Sequence, residues 1–222
     1  LFRTEYLFLN RRELPTEAEQ FLAYREVLKR VAPSPATIRT LDIGGDKLDL
    51  SGRLGDQLNP FFGQRAIRYC LREGRELFRT QLRALLRASV HGTLQILVPF
   101  ISDIPEIREV KALIAEVRAE LASEGQKVAD RIALGAMIEI PAAALIADLL
   151  AREVDFFSVG TNDLIQYTLA ISRDATEIGY MYHPLHPAML RLLRIVSDAA
   201  HTEGIPLNMC GEMAGEPLYT PV

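Results

Sequence analysis

The chain has 222 residues, 49% of them hydrophobic, enough to bury a large core in one domain or at most two, which excludes disorder as a description of the whole. Its 25 basic and 29 acidic side chains leave a formal charge of -4, so no chain-wide positive field recruits nucleic acid. Two cysteines are too few for a secreted disulfide framework, no apolar run reaches the roughly 18 residues of a membrane span, and the N-terminus lacks the shape of a signal peptide, so the expectation is a cytoplasmic protein without membrane insertion.

The opening FRTEYLF (2–8) is the first strand candidate, followed by helical spacing from Thr16 to Arg30 and a strand at TIRTLDI (37–43). The longest irregular stretch, rich in Gly, Asp and Pro, runs from Gly44 to Gly63, the kind of loop that closes over a substrate. Cys70 falls in AIRYCLRE on a predicted helix and reads as packing, before a longer helix from Arg75 to Ser89. Strand LQILVPFI (94–101), helix Ile104–Ser123, strand IALGAMIEI (132–140), helix Ala142–Arg152 and strand VDFFSVG (154–160) come next. Helix Pro187–Glu203 and strand IPLNMCG (205–211) close the series. Continuous apolar runs predict strands buried on both faces, and strict βα alternation predicts a parallel sheet with helices outside it. Six strands fit a (β/α)8 barrel short by about one βα unit at each end, with an open parallel sheet as the alternative. LFRTEYLF lacks a Met and GEPLYTPV stops abruptly, so residues 1–222 read as a single incomplete domain of a larger protein.

Polar residues gather at the predicted carboxyl ends of these strands, the face on which parallel α/β folds build their sites. Arg3, Arg39, Arg65 and Arg173 lie beside strand ends or in loops rather than on helix faces, and converging guanidinium forks suit a small, highly charged anion. Glu139 in GAMIEIPAAA and Asp163 in FFSVGTNDLIQYT end neighbouring strands, so two carboxylates could supply oxygens to a hard cation; helix capping by Asn162 or Asp163, and a core ion pair for Glu139, are the alternatives. Cys210 in NMCGEMAG stands at a polar strand end before a glycine, where a thiol could donate a proton; a buried structural cysteine is the plain alternative. His91, His183, His186 and His201 sit in turns or late in a helix and make no zinc set.

Six blocks, LFRTEYLF, TIRTLDIGGDK, NPFFGQRAIR, GAMIEIPAAA, FFSVGTNDLIQYTLAISRD and NMCGEMAG, together resemble the C-terminal phosphoenolpyruvate-binding barrel of the enzyme I-type phosphoenolpyruvate–protein phosphotransferases, in that family's order and nearly end to end. Pyruvate phosphate dikinase and phosphoenolpyruvate synthase barrels share most of these blocks, but DIGGDK is closer to enzyme I. The resemblance implies that Arg3, Arg39, Arg65 and Arg173 hold the phosphate and carboxylate of phosphoenolpyruvate, with Asn162, the Asp163 backbone and, as a further candidate, Lys47. It implies Mg2+ on Glu139 and Asp163, and Cys210 as the acid that protonates enolpyruvate to pyruvate. It also implies partners: a phosphohistidine domain of the parent protein, a small phosphocarrier protein and, at full length, a second copy in a homodimer. Nothing in the chain resembles the glycine- and serine-flanked acceptor histidine, so full turnover is expected of the parent protein alone. A phosphoenolpyruvate-sensing module without turnover is the alternative from another class; Cys210 argues against it, since binding alone needs no proton donor.

Overall fold

The computed structural model describes residues 1–9, 11, 13–43, 62–172 and 179–219. They fall into two compact units, Leu1–Pro99 with Arg108–Leu134, and Phe100–Ile107 with Gly135–Val222. Among the described residues no helix is long and apolar enough to cross a membrane.

The first unit carries three parallel strands in chain order, β1 (Phe2–Arg3), β2 (Ala36–Arg39) and β3 (Leu94–Val98). Register pairs Phe2 with Ile38 and Arg3 with Arg39, and then Ala36 with Leu94 through Arg39 with Leu97. β1 is far shorter than the run 2–8 predicted, because a 3₁₀ turn over Thr4–Leu7 takes the chain out of the sheet directly after Arg3. Helix α1 (Glu17–Val31) starts where Thr16 and Glu19 form a capping box: Thr16 Oγ1 accepts the Glu19 N–H at 3.2 Å and Glu19 Oε2 accepts the Thr16 N–H at 2.8 Å. A short α2 (Ile67–Cys70) precedes α3 (Arg75–Ala88), whose buried Phe78, Leu82, Leu85 and Leu86 pack toward α1 and its buried Tyr24 and Leu28. Cys70 is buried, as its packing reading requires, and burial pushes its thiol well up from the ordinary value. Residues 108–123 of α4 (Ile104–Ser123) also belong to this unit, and Glu109, Glu116, Glu120 and Glu124 pair there with Arg72, Arg75, Arg79 and Arg83.

The second unit holds β4 (Ala133–Ile138) from Gly135 onward, β5 (Phe156–Gly160) and β6 (Leu207–Cys210), again parallel and in chain order. Gly135 is required by close approach: a Cβ there would lie 2.3 Å from the Phe156 ring. The predicted single helix 142–152 is two, α5 (Pro141–Leu145) and α6 (Ala147–Ala151), parted at Ile146, whose φ of -108° and ψ of 24° leave the helical range. α7 (Thr161–Leu169) follows β5 without a loop, and α8 (Pro187–Glu203) packs on α5 and α6. His186 caps α8, its Nδ1 accepting the Ala188 N–H at 3.1 Å, while Gly204 at φ 67° ends the helix in the left-handed region. A short α9 (Glu212–Gly215) follows β6. β5 is buried at every residue, whereas Leu207, Asn208 and Met209 of β6 are exposed, so burial on both faces holds for β5 and not for β6. Among the described residues, three parallel strands in each unit, joined through helices, bear out the α/β reading; a closed (β/α)8 barrel is not shown.

Candidate functional site

In the first unit, the carboxyl ends of β1 and β2 set Arg3 and Arg39 side by side in register. Arg39 lies between two carboxylates, its NH2 donating to Glu5 Oε1 at 3.0 Å and its NH1 lying 3.1 Å from Asp42 Oδ2. Arg65, arriving from far along the chain, grips the same Asp42 with both arms of its fork, Nε to Oδ1 at 2.9 Å and NH2 to Oδ2 at 3.2 Å. Asp42 is 4% exposed and the two guanidinia only 13% and 15%, so these are not the solvated pairs that contribute little to stability. Burial alone would raise the Asp42 carboxyl, but Arg65 and then Arg39 outweigh it and hold it below the ordinary carboxylate range. Burial wins at Glu5, whose carboxyl is raised even though Arg39 pulls it down. Neither Glu5 nor Asp42 was singled out from the sequence. Their position, two and three residues beyond Arg3 and Arg39, was the available signal. Lys47 and Arg173 lie outside the described residues.

In the second unit, Glu139 directly follows β4 and is 2% exposed; Asp163 is 8% exposed. A carboxylate oxygen of each lies within 4.8 Å of the other. Phe100, in the left-handed region at φ 62°, donates its N–H to Glu139 Oε1 at 2.7 Å, and its ring meets Tyr167 edge-on at 5.8 Å. Asp163 is the third residue of α7 rather than a strand-end residue, and the N-cap is Gly160 with no side-chain cap bond, so capping by Asn162 or Asp163 is corrected. Two buried carboxylates so close, both hard oxygen donors, fit a hard divalent cation better than a soft one.

Cys210 closes β6, opposite Gly160 of β5, and is half-buried. Its Sγ donates to the Val159 carbonyl and accepts from Ser158 Oγ, both at 3.4 Å, so the thiol has a fixed direction. Gly211 follows at φ 99°, and a Cβ there would lie 2.5 Å from Thr161 Oγ1, which itself donates to the Cys210 carbonyl at 3.1 Å. Asn162 is engaged with the same turn: its Oδ1 accepts the Glu212 N–H at 2.9 Å. A cleft of about 620 Å³ opens beside Asn162, lined also by Ile165, Tyr182, Glu212 and Tyr219.

The profile of the PEP-utilising enzymes, PEP-binding domain, matches residues 1–222, the whole chain. The chain belongs to this family. Among curated relatives of the family domain, the phosphoenolpyruvate-protein phosphotransferases of Geobacillus stearothermophilus and Bacillus subtilis (strain 168) are 54% and 53% identical to it over 222 residues, and that of Staphylococcus aureus is 51% identical. The chain spans 38% or 39% of the length of these relatives. A solved citrate lyase from Burkholderia xenovorans LB400 is similar over 61% of this chain and 43% of its own, at 22% identity and a TM-score of 0.47, a likeness from which neither barrel closure nor chemistry follows.

Proposed function

We propose that residues 1–222 form one phosphoenolpyruvate-binding domain which, within a longer cytoplasmic protein, takes part in transferring the phosphoryl group of phosphoenolpyruvate to a histidine of another domain, releasing pyruvate, as the first step of a sugar phosphotransferase system. The observation that carries this reading is the pair Arg39 and Arg65, both held on nearly buried Asp42, in a chain that matches the PEP-binding domain end to end. Guanidinia placed before the ligand arrives need no reorganisation to meet phosphate and carboxylate oxygens, and a loose phosphoryl-transfer transition state asks chiefly for positioning and charge neutralisation. Arg3, in register with Arg39, joins them, and Asn162, Arg173 and Lys47 complete the assigned contacts.

Glu139 and Asp163 would hold Mg2+, which when bound supplies positive charge against phosphate oxygens. The Phe100 N–H holds one oxygen of Glu139 and so helps to orient the carboxylate. The Cys210 thiol, steered by Ser158 and the Val159 carbonyl, gives its proton to the methylene carbon of enolpyruvate, and the resulting ketone makes the transfer favourable. The names of the relatives favour a protein phosphotransferase over a dikinase or synthase barrel; a small phosphocarrier protein as partner and a homodimeric parent belong to the proposal.

Calorimetric titration of the chain with phosphoenolpyruvate tests the reading. Binding that requires Mg2+ is expected. A folded chain indifferent to the ligand, with and without Mg2+, overturns it.

A further inference from the structure

Beneath the arginines of the first unit runs a buried polar chain that the reaction itself does not call for. Gln81 of α3 donates through Nε2 to Thr4 Oγ1 and to the Tyr24 hydroxyl, both at 3.2 Å, and accepts the Leu41 N–H on Oε1 at 3.0 Å. Tyr24 donates onward to Gln20 Oε1 at 3.0 Å, and Gln20 Nε2 to the Pro15 carbonyl at 3.1 Å. Gln20, Gln81 and Thr4 are each at most 1% exposed, and burying so many polar groups is tolerable only because each has its partner. One amide thereby ties down the segment after β1 at Thr4 and the segment after β2 at Leu41. The next residues, Glu5 and Asp42, meet: Glu5 Oε1 accepts from Arg39 NH2 at 3.0 Å and from the Asp42 N–H at 3.1 Å.

We infer that Glu5 is a positioning residue for the anion site, a single carboxylate oxygen that sets both the Arg39 guanidinium and the Asp42 backbone. The inference rests on the reading of Arg39 as a phosphoenolpyruvate contact. Electrostatics alone predicts the opposite of positioning. Glu5 is a negative charge beside a cation meant for an anion, so deleting it would strengthen the field felt by the ligand and tighten binding. Its retention at 13% exposure, with one oxygen shared between a side chain and a backbone donor, is the mark of a geometric role.

The two accounts separate on three variants of the chain, each shown by far-UV spectrum to be folded at the titration temperature, titrated with phosphoenolpyruvate and Mg2+. Glu5→Asp keeps the charge but draws the oxygen back by one methylene, and Glu5→Ala removes it; both should weaken affinity about tenfold or more, the equivalent of one charge-assisted hydrogen bond. Glu5→Gln keeps an acceptor oxygen at the same reach without the charge and should stay within about threefold of the unsubstituted chain. Equal or tighter binding by Glu5→Asp, or a Glu5→Gln variant as weak as Glu5→Ala, overturns the inference and leaves the binding reading intact. Should Glu5→Ala fail to fold, the Asp and Gln pair decides by itself. If the unsubstituted chain binds no phosphoenolpyruvate, the underlying reading fails instead.

Discussion

Replacing Gly160 by alanine sets a methyl group where a Cβ lies 2.7 Å from Glu139 Oε2, 2.9 Å from Glu139 Cβ and 3.3 Å from Met137 Cγ. At 3.3 Å the Met137 Cγ contact needs only a slight shift to relieve it. Glu139 cannot shift freely, because it is 2% exposed and its other oxygen is tied to the Phe100 N–H at 2.7 Å. Turning Glu139 would clear its carboxylate but not its Cβ and would give up a hydrogen bond to a charged group, at about 1.5–3 kcal/mol, whereas absorbing the methyl as overpacking costs about 1–3 kcal/mol. The cheaper route sets the result, so a loss near 2 kcal/mol is expected, read as a lower urea midpoint at unchanged slope. Gly179→Ala is the control, since a Cβ there meets nothing within 4 Å and should leave the midpoint in place. The displaced carboxylate should also weaken the Mg2+ dependence of phosphoenolpyruvate binding. A Gly160→Ala variant with an unaltered midpoint and unaltered Mg2+ dependence would refute the claim that this glycine makes room for Glu139.

Asp42→Asn removes one partner from two buried guanidinia and should cost about 3 kcal/mol in chemical denaturation, the lower part of the range for breaking a buried pair. The pH dependence follows from the same group: its folded pKa lies below the ordinary 3.8, so its contribution is complete above 3.8 and is lost as pH falls through the folded value. Glu5 has the opposite sign, its raised carboxyl favouring the fold below 4.5 and losing that contribution as pH rises through its folded value, so the test is the difference between Asp42→Asn and unsubstituted acid titrations. A difference that stays flat below 3.8 would contradict the Asp42 assignment. Cys210→Ala should leave phosphoenolpyruvate binding nearly intact while abolishing pyruvate formation in the full-length parent, measured by coupled pyruvate assay; substantial turnover removes Cys210 from the acid role. Thr16→Ala deletes the capping box of α1 and should lower stability by about 1 kcal/mol in the same denaturation experiment.

Periodicity was enough for the α/β alternation, because apolar runs of strand length and amphipathic runs of helix length are local properties of the chain. The capping box at Thr16 and the Pro187 to Gly204 limits of α8 are local too: a side chain within three residues of a free amide, a proline without an N–H and a glycine tolerant of positive φ need no distant neighbour. The placement of Glu139 and Cys210 near strand ends could likewise be read in advance, since each sits where an apolar run stops, whereas the strands predicted over 2–8 and 37–43 run past Arg3 and Arg39, which close β1 and β2.

Other features were decided only by tertiary structure. β1 stops after Arg3 because Thr4 is claimed by Gln81, 77 residues away, and no local pattern in FRTEYLF announces that partner. Asp163 lies inside α7 instead of before it, since β5 passes into the helix at Gly160 with no side chain capping the end. Glu5 and Asp42 escaped notice because a carboxylate near a strand end is ordinary in sequence. Only when Arg39 and Arg65 arrive from separate segments does burial become affordable for the four charges together, and that pairing is a property of the folded chain. The sequence therefore determined which residue types stand at the ends of which strands, a matter of local spacing. Which of them touch depends, beside the local Arg39–Asp42 pair, on contacts that only folding brings within reach: Arg65 on Asp42 across 23 positions, Arg39 on Glu5 across 34 and the Asp42 N–H on Glu5 across 37.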